Sequence, residues 1–484
     1  MYTYVEYEFA APDPVGLRMY YILANCGALA AKIASRVAPL LPLAALAMQA
    51  LRSQLSGPRA LCLVLATAAR LSGCQEPTAA VLHPGTQQYT VIFNGSTDDA
   101  CPDQGDGPDD SDVPVRAFRA SAASSEVTWL MGTAPRFYLS RSRTIWERPV
   151  RQCARAALSS NPDFRHSSPE RYDDLLWLQV VWVPASGPIV GLVHNEFRGE
   201  QQANRSFCES GQLAQCFYAN TLAAASSDGG STFALQPLPH RRLAFSTPRR
   251  YLADSTRQGM AQSLGVLGTP QADGYLYSLV YGELGDPALG EAGRRPGTCL
   301  FRTADIQDPT AWRGWDGVAF SVHAVNPYAD PPLSNLSAAI CRPVLSPAFR
   351  FGWTFNTVMR KYLTVGYDDF KFANGSSIPA VVYAVSSDMF IWSEPRFLMT
   401  QNVMGPTNGS STVFTGECMY PSFLGPDSRG QNFEFTGRHF WLFCSVDTGF
   451  EQRNVLRWGV NATETGLVAA ATAARGHSQI QMQV

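Results

Sequence analysis

The chain has 484 residues, of which 45% are hydrophobic and 16% charged, a balance typical of a folded globular protein rather than a disordered one. Its formal net charge is -2 and it contains no long basic run, so nucleic acid is not expected as a partner. Aromatic residues make up 11% of the chain and Gly and Pro are frequent, which favours a β-rich protein with many turns.

The first 80 residues are rich in Ala and Leu and predict a helix or an export signal rather than strands. The apolar segment 37–51 has only fifteen residues and two prolines, which argues against a membrane-spanning helix. Further on, an apolar run ends in Leu71-Ser72-Gly73-Cys74, which resembles a bacterial lipobox whose Cys is lipidated. An ordinary secretory signal that happens to contain Cys74 is the alternative. Both interpretations predict export, to the medium or to the cell envelope as a lipoprotein.

Eight cysteines follow Cys74, and an even number suits disulfides formed in an oxidising compartment. Cys208 and Cys216 flank a Gly-containing loop and are the pair we predict first. Buried free thiols are the alternative. The chain has no Cys-x-x-Cys pair and no His-rich cluster, so no metal site is expected, and nothing indicates a bound Ca²⁺ or another cofactor.

Strand-like runs recur along the rest of the chain. Each is rich in Val, Tyr, Trp and Phe and is bounded by turn residues; they lie at 127–133, 175–183, 274–283, 361–369 and 439–446, and the last is followed by a further short run at 454–460.

Polar turns with a Ser or Thr, usually an Asp, and then an aromatic residue recur as well, within 137–146, 222–233, 299–312 and 381–392. If Ser142, Asp228, Asp305 and Asp388 are equivalent, their separations are 86, 77 and 83 residues.

A repeat of about eighty residues without a recurring amphipathic helix predicts five β units in a closed ring, since radial repetition hides the edges of the sheets. The predicted fold class is therefore all-β: a five-bladed β-propeller over 85–465. The helical or signal region over 1–80 precedes it, and a C-terminal tail over 466–484 follows it.

The turn at 226–233, Ser-Ser-Asp-Gly-Gly-Ser-Thr-Phe, resembles the Asp box of sialidases and related propellers. In those families the Asp box marks a turn on the outer strands of a blade, away from the active centre. An Asp in such a turn can accept backbone N–H groups, Gly230 supplies the permissive backbone angles, and the aromatic residue packs back between blades. Ser226, Asp228, Gly230 and Phe233 are therefore predicted to be structural.

With five units and turns such as those at 302–312 and 386–395, the chain resembles the five-bladed glycoside hydrolases of the arabinanase, xylosidase and invertase type over about 380 residues. The resemblance implies an Asp base or nucleophile, a Glu acid and often a third Asp around the central funnel. The motifs of that group do not match this chain residue by residue, so no catalytic role is carried over from it.

The first strand of each blade lines the central channel of a propeller, so polar residues near those strands are the candidates for a site. Asp112 and Arg116 precede the strand at 127–133, and Arg116 can grip a carboxylate or sugar hydroxyls, or form a structural salt bridge. Asp173 and Asp174 precede the strand at 175–183. They offer a base or a charge stabiliser, because like charges held close shift each other's pKa, or else a solvated turn.

His194, Asn195 and Glu196 end the apolar run at 190–197, where polar residues often face a cleft. Strand alternation puts His194 and Glu196 on one face and Asn195 on the other. Glu196 is a candidate general acid if burial raises its pKa. His194 by itself is more often a structural histidine.

The later units contribute Trp353, Asn356, Glu417 and Tyr420 as predicted walls of a saccharide pocket, because sugar rings stack on aromatic faces and hydrogen-bond to carboxylates. Burial between blades is the favoured alternative for Trp353. A glycosidase needs two carboxyl groups about 5 to 10 Å apart. Asp174, Glu196 and Glu417 are the predicted catalytic residues.

Three functions remain open at this point. The first is an exported, carbohydrate-active propeller of the glycoside hydrolase kind, with a saccharide or glycan as partner and a membrane contacted only through an N-terminal lipid anchor. The second is a non-catalytic propeller that binds a glycan or a protein, and the third is a sialidase-like enzyme, although sialidases resemble six-bladed propellers. An enzyme should bring two or three carboxylates into a deep, aromatic-lined pocket, whereas a binding protein should have a flat or plugged channel.

Overall fold

The computed structural model describes residues 89–98, 101, 111–269, 273–331, 336–372, 374–406, 413–447, 453–463 and 466–469. The predicted signal region, including Cys74, and most of the predicted tail lie outside the described residues. No helix in the described ranges is long and apolar enough to cross a membrane.

Most of the regular structure is β. Ahead of the blades lies β1 (Thr90–Phe93), and the first blade region holds β2 (Arg116–Phe118), β3 (Val127–Leu130), β4 (Arg136–Phe137), β5 (Leu139–Ser142), β6 (Val150–Arg151) and β7 (Leu158–Ser159). The second contains β8 (Leu175–Trp182), β9 (Ile189–Arg198), β10 (Phe217–Ser226), β11 (Ala234–Leu235) and β12 (Leu243–Phe245). The third contains β13 (Gln258–Gly268), β14 (Leu276–Glu283), β15 (Pro296–Thr303), β16 (Arg313–Trp315), β17 (Phe320–Val322) and β18 (Pro343–Leu345).

The last two blade regions complete the strands. The fourth contains β19 (Gly352–Asn356), β20 (Lys361–Lys371), β21 (Ser377–Ser386) and β22 (Arg396–Thr400), and the fifth contains β23 (Asn402–Pro406), β24 (Val413–Leu424), β25 (Phe435–Thr436), β26 (His439–Asp447), β27 (Arg453–Ala462) and β28 (Leu467–Ala469). The helical segments are short: α1 (Gly95–Asp98) and 3₁₀ turns at Phe164–His166, Gly199–Gln201, Arg205–Phe207, Leu213–Gln215, Pro287–Gly293, Pro309–Ala311 and Leu336–Ala339.

The inner strands of the five blades form a closed ring. Each contacts two others, in the order β2, β8, β13, β19, β24 and back to β2. From each inner strand the sheet continues outward through antiparallel neighbours, for example β8-β9-β10 and β19-β20-β21-β22. The protein is therefore an all-β, five-bladed β-propeller, as the sequence repeat predicts.

The repeated polar turns occupy equivalent places in the ring. Ser142, Asp228, Asp305 and Asp388 each lie at or just after the third strand of one of the first four blades. In the second blade the Asp228 carboxylate accepts the backbone N–H groups of Ser231 and Thr232 at 3.1 and 2.8 Å, and Gly230 has a φ of +83°. Asp388 accepts the N–H groups of Phe390 and Ile391, both at 2.9 Å. The turns thus follow the third strand in each of these four blades.

Apolar side chains fill the spaces between neighbouring blades. Phe233, after the Asp228 turn, is buried with Leu178 of its own blade and Phe118 of the first blade. Between the first and fifth blades, Trp129 meets Phe443 at a ring distance of 6.2 Å with an edge-on geometry. These contacts bury the space between the blades.

Both ends of the described chain complete the fifth blade. Strand β1 pairs antiparallel with β27, whose other edge is occupied by β26. Strand β28 also pairs with β27, so the sheet extends to Ala469, past the predicted boundary at 465. The ring is thus closed by a strand from before the first blade.

All eight cysteines after Cys74 are paired, in the disulfides Cys101–Cys153, Cys208–Cys216, Cys299–Cys341 and Cys418–Cys444. The pair predicted first, Cys208 with Cys216, is among them, and the alternative of buried free thiols is wrong. Four disulfides are typical of proteins that mature in an oxidising, extracellular environment.

Candidate functional site

A cavity of about 220 Å³ lies at one end of the central channel and is lined by residues of all five blades. Three carboxylates from three adjacent blades contribute to its wall. Asp112 precedes β2, Glu196 lies near the end of β9, and Glu283 ends β14. All three side chains are largely buried, with exposed fractions of 20%, 14% and 4%.

Glu196 is held between two basic side chains of its own strand. His194 Nε2 lies 2.8 Å from Glu196 Oε1, and the Nε and Nη2 atoms of Arg198 donate to Oε2 at 2.7 and 2.6 Å. The three residues are spaced by two along β9 and therefore share one face of the sheet. Burial by itself would raise the pKa of Glu196, but Arg198 and His194 together outweigh it and hold the pKa at about 2.

The condition under which Glu196 is expected to be a general acid, a pKa raised by burial, is therefore not met. The carboxyl group is ionised at any physiological pH, because its partners are charged or hydrogen-bonding groups at contact distance. In a reaction it can serve as a base, a nucleophile or a stabiliser of positive charge, and not as the proton donor.

The other two cavity carboxylates also have arginine partners. Asp112 Oδ1 accepts hydrogen bonds from Arg453 and from the Tyr420 hydroxyl (2.8 Å), and Oδ2 accepts one from Trp177 Nε1 at 3.1 Å. Glu283 accepts hydrogen bonds from the Tyr281 hydroxyl at 2.7 Å and from Arg294 at 2.9 and 3.0 Å.

The two tyrosines beside these carboxylates remain protonated. Burial and then the adjacent Glu283 raise the pKa of Tyr281 to about 12. Burial, together with Asp112, raises the pKa of Tyr420 well above its ordinary value. Both hydroxyls are therefore hydrogen-bond donors at neutral pH.

Irregular pairing in two inner strands points polar side chains at the cavity. The pairing of β24 with β26 shifts between Met419 and Ser422, and Tyr420 in that gap has a φ of +52°. The pairing of β8 with β9 shifts between Leu178 and Val180, so Gln179 has no paired residue opposite it on β9. β-Bulges re-aim side chains in this way near binding sites. Both residues line the cavity.

The remaining wall is aromatic and cationic, and includes Trp177, Phe217, Phe351, Tyr367, Arg257 and Arg350. Two polar atoms there, Oε1 of Gln179 and Nδ1 of His194, are buried without a hydrogen-bond partner. Buried atoms of this kind are costly unless water or a ligand satisfies them. The cavity thus combines flat apolar faces with unsatisfied polar groups, which is the usual composition of a small-molecule site.

Only part of the sequence-predicted site lies at this cavity. Glu196, His194 and Tyr420 line it. Arg116 lies deeper in the channel, where it donates to the backbone oxygens of Gln179 (3.0 Å) and Phe351 (2.7 Å). Burial lowers its pKa to about 9. Arg116 ties the second blade to the fourth, which is neither the ligand grip nor the salt bridge that the sequence suggests.

Asp174 and Glu417, predicted to be catalytic with Glu196, do not line the cavity. Asp174 points away from it and accepts hydrogen bonds from the Arg198 backbone N–H at 3.3 Å and from Gln202 Nε2 at 3.2 Å. Glu417 is exposed in the part of β24 that pairs with β23. The two residues therefore do not share the cavity with Glu196, because the sequence does not show to which side of the sheet each side chain turns.

Three predicted binding residues have structural roles instead. Asp173 lies in a turn, as one alternative predicts, but it is half-buried there and bound by Arg171 at 3.1 Å and the Ser167 hydroxyl at 3.0 Å. Trp353 is buried and donates from Nε1 to the Gly265 oxygen at 2.9 Å, in agreement with burial between blades. Asn356 accepts the N–H groups of Val358 and Met359 and so caps the turn after β19.

Sequence reasoning missed Glu283 and Tyr281 as site residues. They end the predicted strand 274–283 and alternate like His194 and Glu196, so the same signal was present at the end of the second strand of the next blade. Arg257 and Arg350 precede inner strands without any periodic pattern. No sequence signal marked them.

No family model matches the sequence, and no curated protein matches it. Similar solved structures include a candidate exo-β-1,3-galactanase from Bifidobacterium bifidum S17 (12% identity, 81% of this chain and 98% of that chain, TM-score 0.41). They also include an α-L-arabinanase from Cellvibrio cellulosa complexed with arabinohexaose (10% identity, 75% and 95%, TM-score 0.39) and an endo-1,5-α-L-arabinanase from Thermotoga petrophila (11% identity, 76% and 75%, TM-score 0.41). All three TM-scores are below 0.5, so these similarities determine neither reaction nor substrate.

Proposed function

We propose that the protein is an exported, glycoside hydrolase-like propeller that binds a saccharide in the central cavity and cleaves it there. The observation that carries this proposal is the convergence of Asp112, Glu196 and Glu283 in one aromatic-lined cavity. Sugar rings stack on flat aromatic faces such as those of Trp177 and Phe217, while carboxylates hydrogen-bond to their hydroxyls. The four disulfides support export, and lipidation of Cys74 stays a prediction.

Hydrolysis of a glycosidic bond uses one carboxyl group that donates a proton and one ionised carboxylate that activates water or attacks the sugar. The low pKa of Glu196 fits the ionised role. In this proposal the other carboxyl role falls to Asp112 or Glu283, the two remaining carboxylates of the cavity.

A non-catalytic saccharide-binding propeller is the second candidate. It is favoured by the pairing of each cavity carboxylate with an arginine, which is equally suited to holding fixed acceptors for sugar hydroxyls. The sialidase-like alternative has less support, because the ring closes with five blades.

The test is turnover of a panel of chromogenic glycosides and polysaccharides by the purified protein and by Asp112→Asn, Glu196→Gln and Glu283→Gln. We expect Glu196→Gln and at least one of the other two to lower kcat about 100-fold or more, as loss of an acid or base does. Glu417→Gln, an exposed carboxylate outside the cavity, is the matched control and should keep full activity. Saccharide binding without turnover in the wild-type protein would contradict the hydrolase and favour the binding propeller.

A further inference from the structure

Two arginines in the cavity lining have no ion-pair partner among the described residues. Each of the three lining carboxylates is paired with an arginine that is not itself part of the lining: Asp112 with Arg453, Glu196 with Arg198, and Glu283 with Arg294. The lining contains two further arginines, Arg257 and Arg350, and neither forms an ion pair with any described residue. Each cavity carboxylate is thus already matched by an arginine, whereas Arg257 and Arg350 have no carboxylate of their own.

Arg350 is held in place by neutral groups alone. Its Nη2 donates to the Tyr367 hydroxyl at 3.0 Å, and its guanidinium carbon lies 5.0 to 5.6 Å from the ring centres of Tyr367, Phe351 and Tyr281. Its Nε is buried and has no hydrogen-bond partner. Aromatic rings fix the guanidinium but give it no counter-charge to replace lost water. An oxyanion would satisfy that Nε and match the planar fork of donors.

Arg257 adds a second cation from the adjacent blade. It precedes β13, and its guanidinium carbon lies 5.0 Å from the ring centre of Phe217. An anionic ligand would be attracted by both arginines in a site where burial strengthens electrostatic interactions. A neutral ligand of the same shape would displace water from both arginines without supplying a negative charge in its place, so it should bind more weakly.

We infer that the cavity selects an acidic saccharide, whose carboxylate or sulfate group is bound by Arg350 with the help of Arg257. This inference rests on the proposed function, since it names the substrate class of the same cavity. The sugar ring would lie against the aromatic wall, and its hydroxyls would face Glu196 and the unpartnered polar atoms of His194 and Gln179.

The test is calorimetric titration of the full-length protein with three sets of oligosaccharides of equal length: oligogalacturonate, its methyl ester and neutral galacto-oligosaccharide. Sulfated galacto-oligosaccharide forms a fourth set and separates sulfate from carboxylate recognition. We expect one of the two acidic sets to bind at least about tenfold more tightly than the neutral sets, with a preference that weakens as salt is added. Comparing oligogalacturonate with its methyl ester tests the inference without any mutation, because the two ligands differ in the charge of the carboxyl groups.

Arg350→Gln should remove most of the preference for acidic oligosaccharides. Arg350→Lys keeps the positive charge but lacks the planar set of guanidinium donors, so it should retain only part of the preference. Arg302→Gln is the matched control, because Arg302 also lies over two aromatic rings, of Tyr275 and Phe320, but outside the cavity. Arg257→Gln serves as a second variant if Arg350→Gln does not fold.

Equal binding of acidic and neutral oligosaccharides would overturn the inference and leave the proposed function standing. Absence of binding or turnover with every saccharide would overturn both.

Discussion

Asp174 is a buried carboxyl group whose pKa is set by burial rather than by a role in the cavity. Its side chain is 2% exposed, one carboxylate oxygen has no hydrogen-bond partner, and burial raises its pKa to about 7. Since the unfolded value is about 3.9, the folded protein retains a proton between pH 4 and 7 that the unfolded chain releases. This group therefore makes the free energy of unfolding fall as pH rises through that window.

Asp174→Asn should abolish that contribution, because the amide carries no charge at any of these pH values. We expect the loss of stability of the wild-type protein between pH 4.5 and 7.5 to exceed that of the variant by on the order of 2–4 kcal/mol. Urea unfolding at both pH values measures the difference. Asp173→Asn, at the neighbouring and more exposed carboxylate, is the control, and an identical pH dependence in wild type and Asp174→Asn would contradict the assignment.

At the residue scale, the sequence predicts which face of β9 carries Glu196, because alternation is a backbone property. It does not predict the direction of the pKa shift, which depends on Arg198 and His194 lying at contact distance from a buried carboxylate. The role of Arg350 could not be predicted from the sequence for another reason. Its position is set by three aromatic rings from the third and fourth blades, and tertiary contacts of this kind leave no local pattern.

At the scale of elements, one tight contact between blades lies where β10 and β13 pair in parallel, through Tyr218 with Gln258 and Ala219 with Gly259. Gly259 has a φ of +107°, and a Cβ there would lie 1.8 Å from the Ala219 oxygen. No L side chain fits without moving one of the two strands. The cavity residue Arg257 lies two positions before this glycine, so a shift of the strand should also move the site.

Gly259→Ala should therefore destabilise the protein by about 2 kcal/mol or more and weaken ligand binding in the cavity. Thermal unfolding and saccharide titration measure the two effects. Gly268→Ala, at the end of the same strand, is the control, because its Cβ would meet only Leu276 Cδ2 at 3.8 Å. A Gly259→Ala protein as stable as Gly268→Ala would contradict this account of the contact.

The strands found from the sequence do not occupy equivalent positions in the blades. The predicted run at 175–183 is an inner strand, β8, whereas those at 127–133, 274–283, 361–369 and 439–446 coincide with second strands, which are β3, β14, β20 and β26 in that order. The inner strands β2 and β19 have only three and five residues, too few to show alternation. The number of blades could be predicted because the turns after the third strands recur, but the residues facing the channel could not.

At the scale of the whole molecule, the sequence period does not reveal how the ring closes. Strand β1 has only four residues, and its partner β27 lies more than 350 positions along the chain. Ile92 and Phe93 of this strand are buried with Trp129 of the first blade and Phe443 of the fifth. The strand thus joins the sheet of the last blade and fills the seam between the last blade and the first.

Phe93→Ala should weaken the whole ring rather than one blade, because each of the five inner strands contacts two others around the circle. We expect a loss of about 3–5 kcal/mol in the free energy of unfolding, as for other fully buried phenylalanines, in a transition that remains single. Hydrogen exchange should show reduced protection of the slowest amides in the third blade as well as in the fifth. Val91→Ala, on the less buried side of the same strand, should cost clearly less. Reduced protection in the fifth blade alone would contradict this account, because the closing strand would then stabilise only its own sheet. In that case the variant should keep its ligand affinity, since four of the five blades that line the cavity would be unaffected.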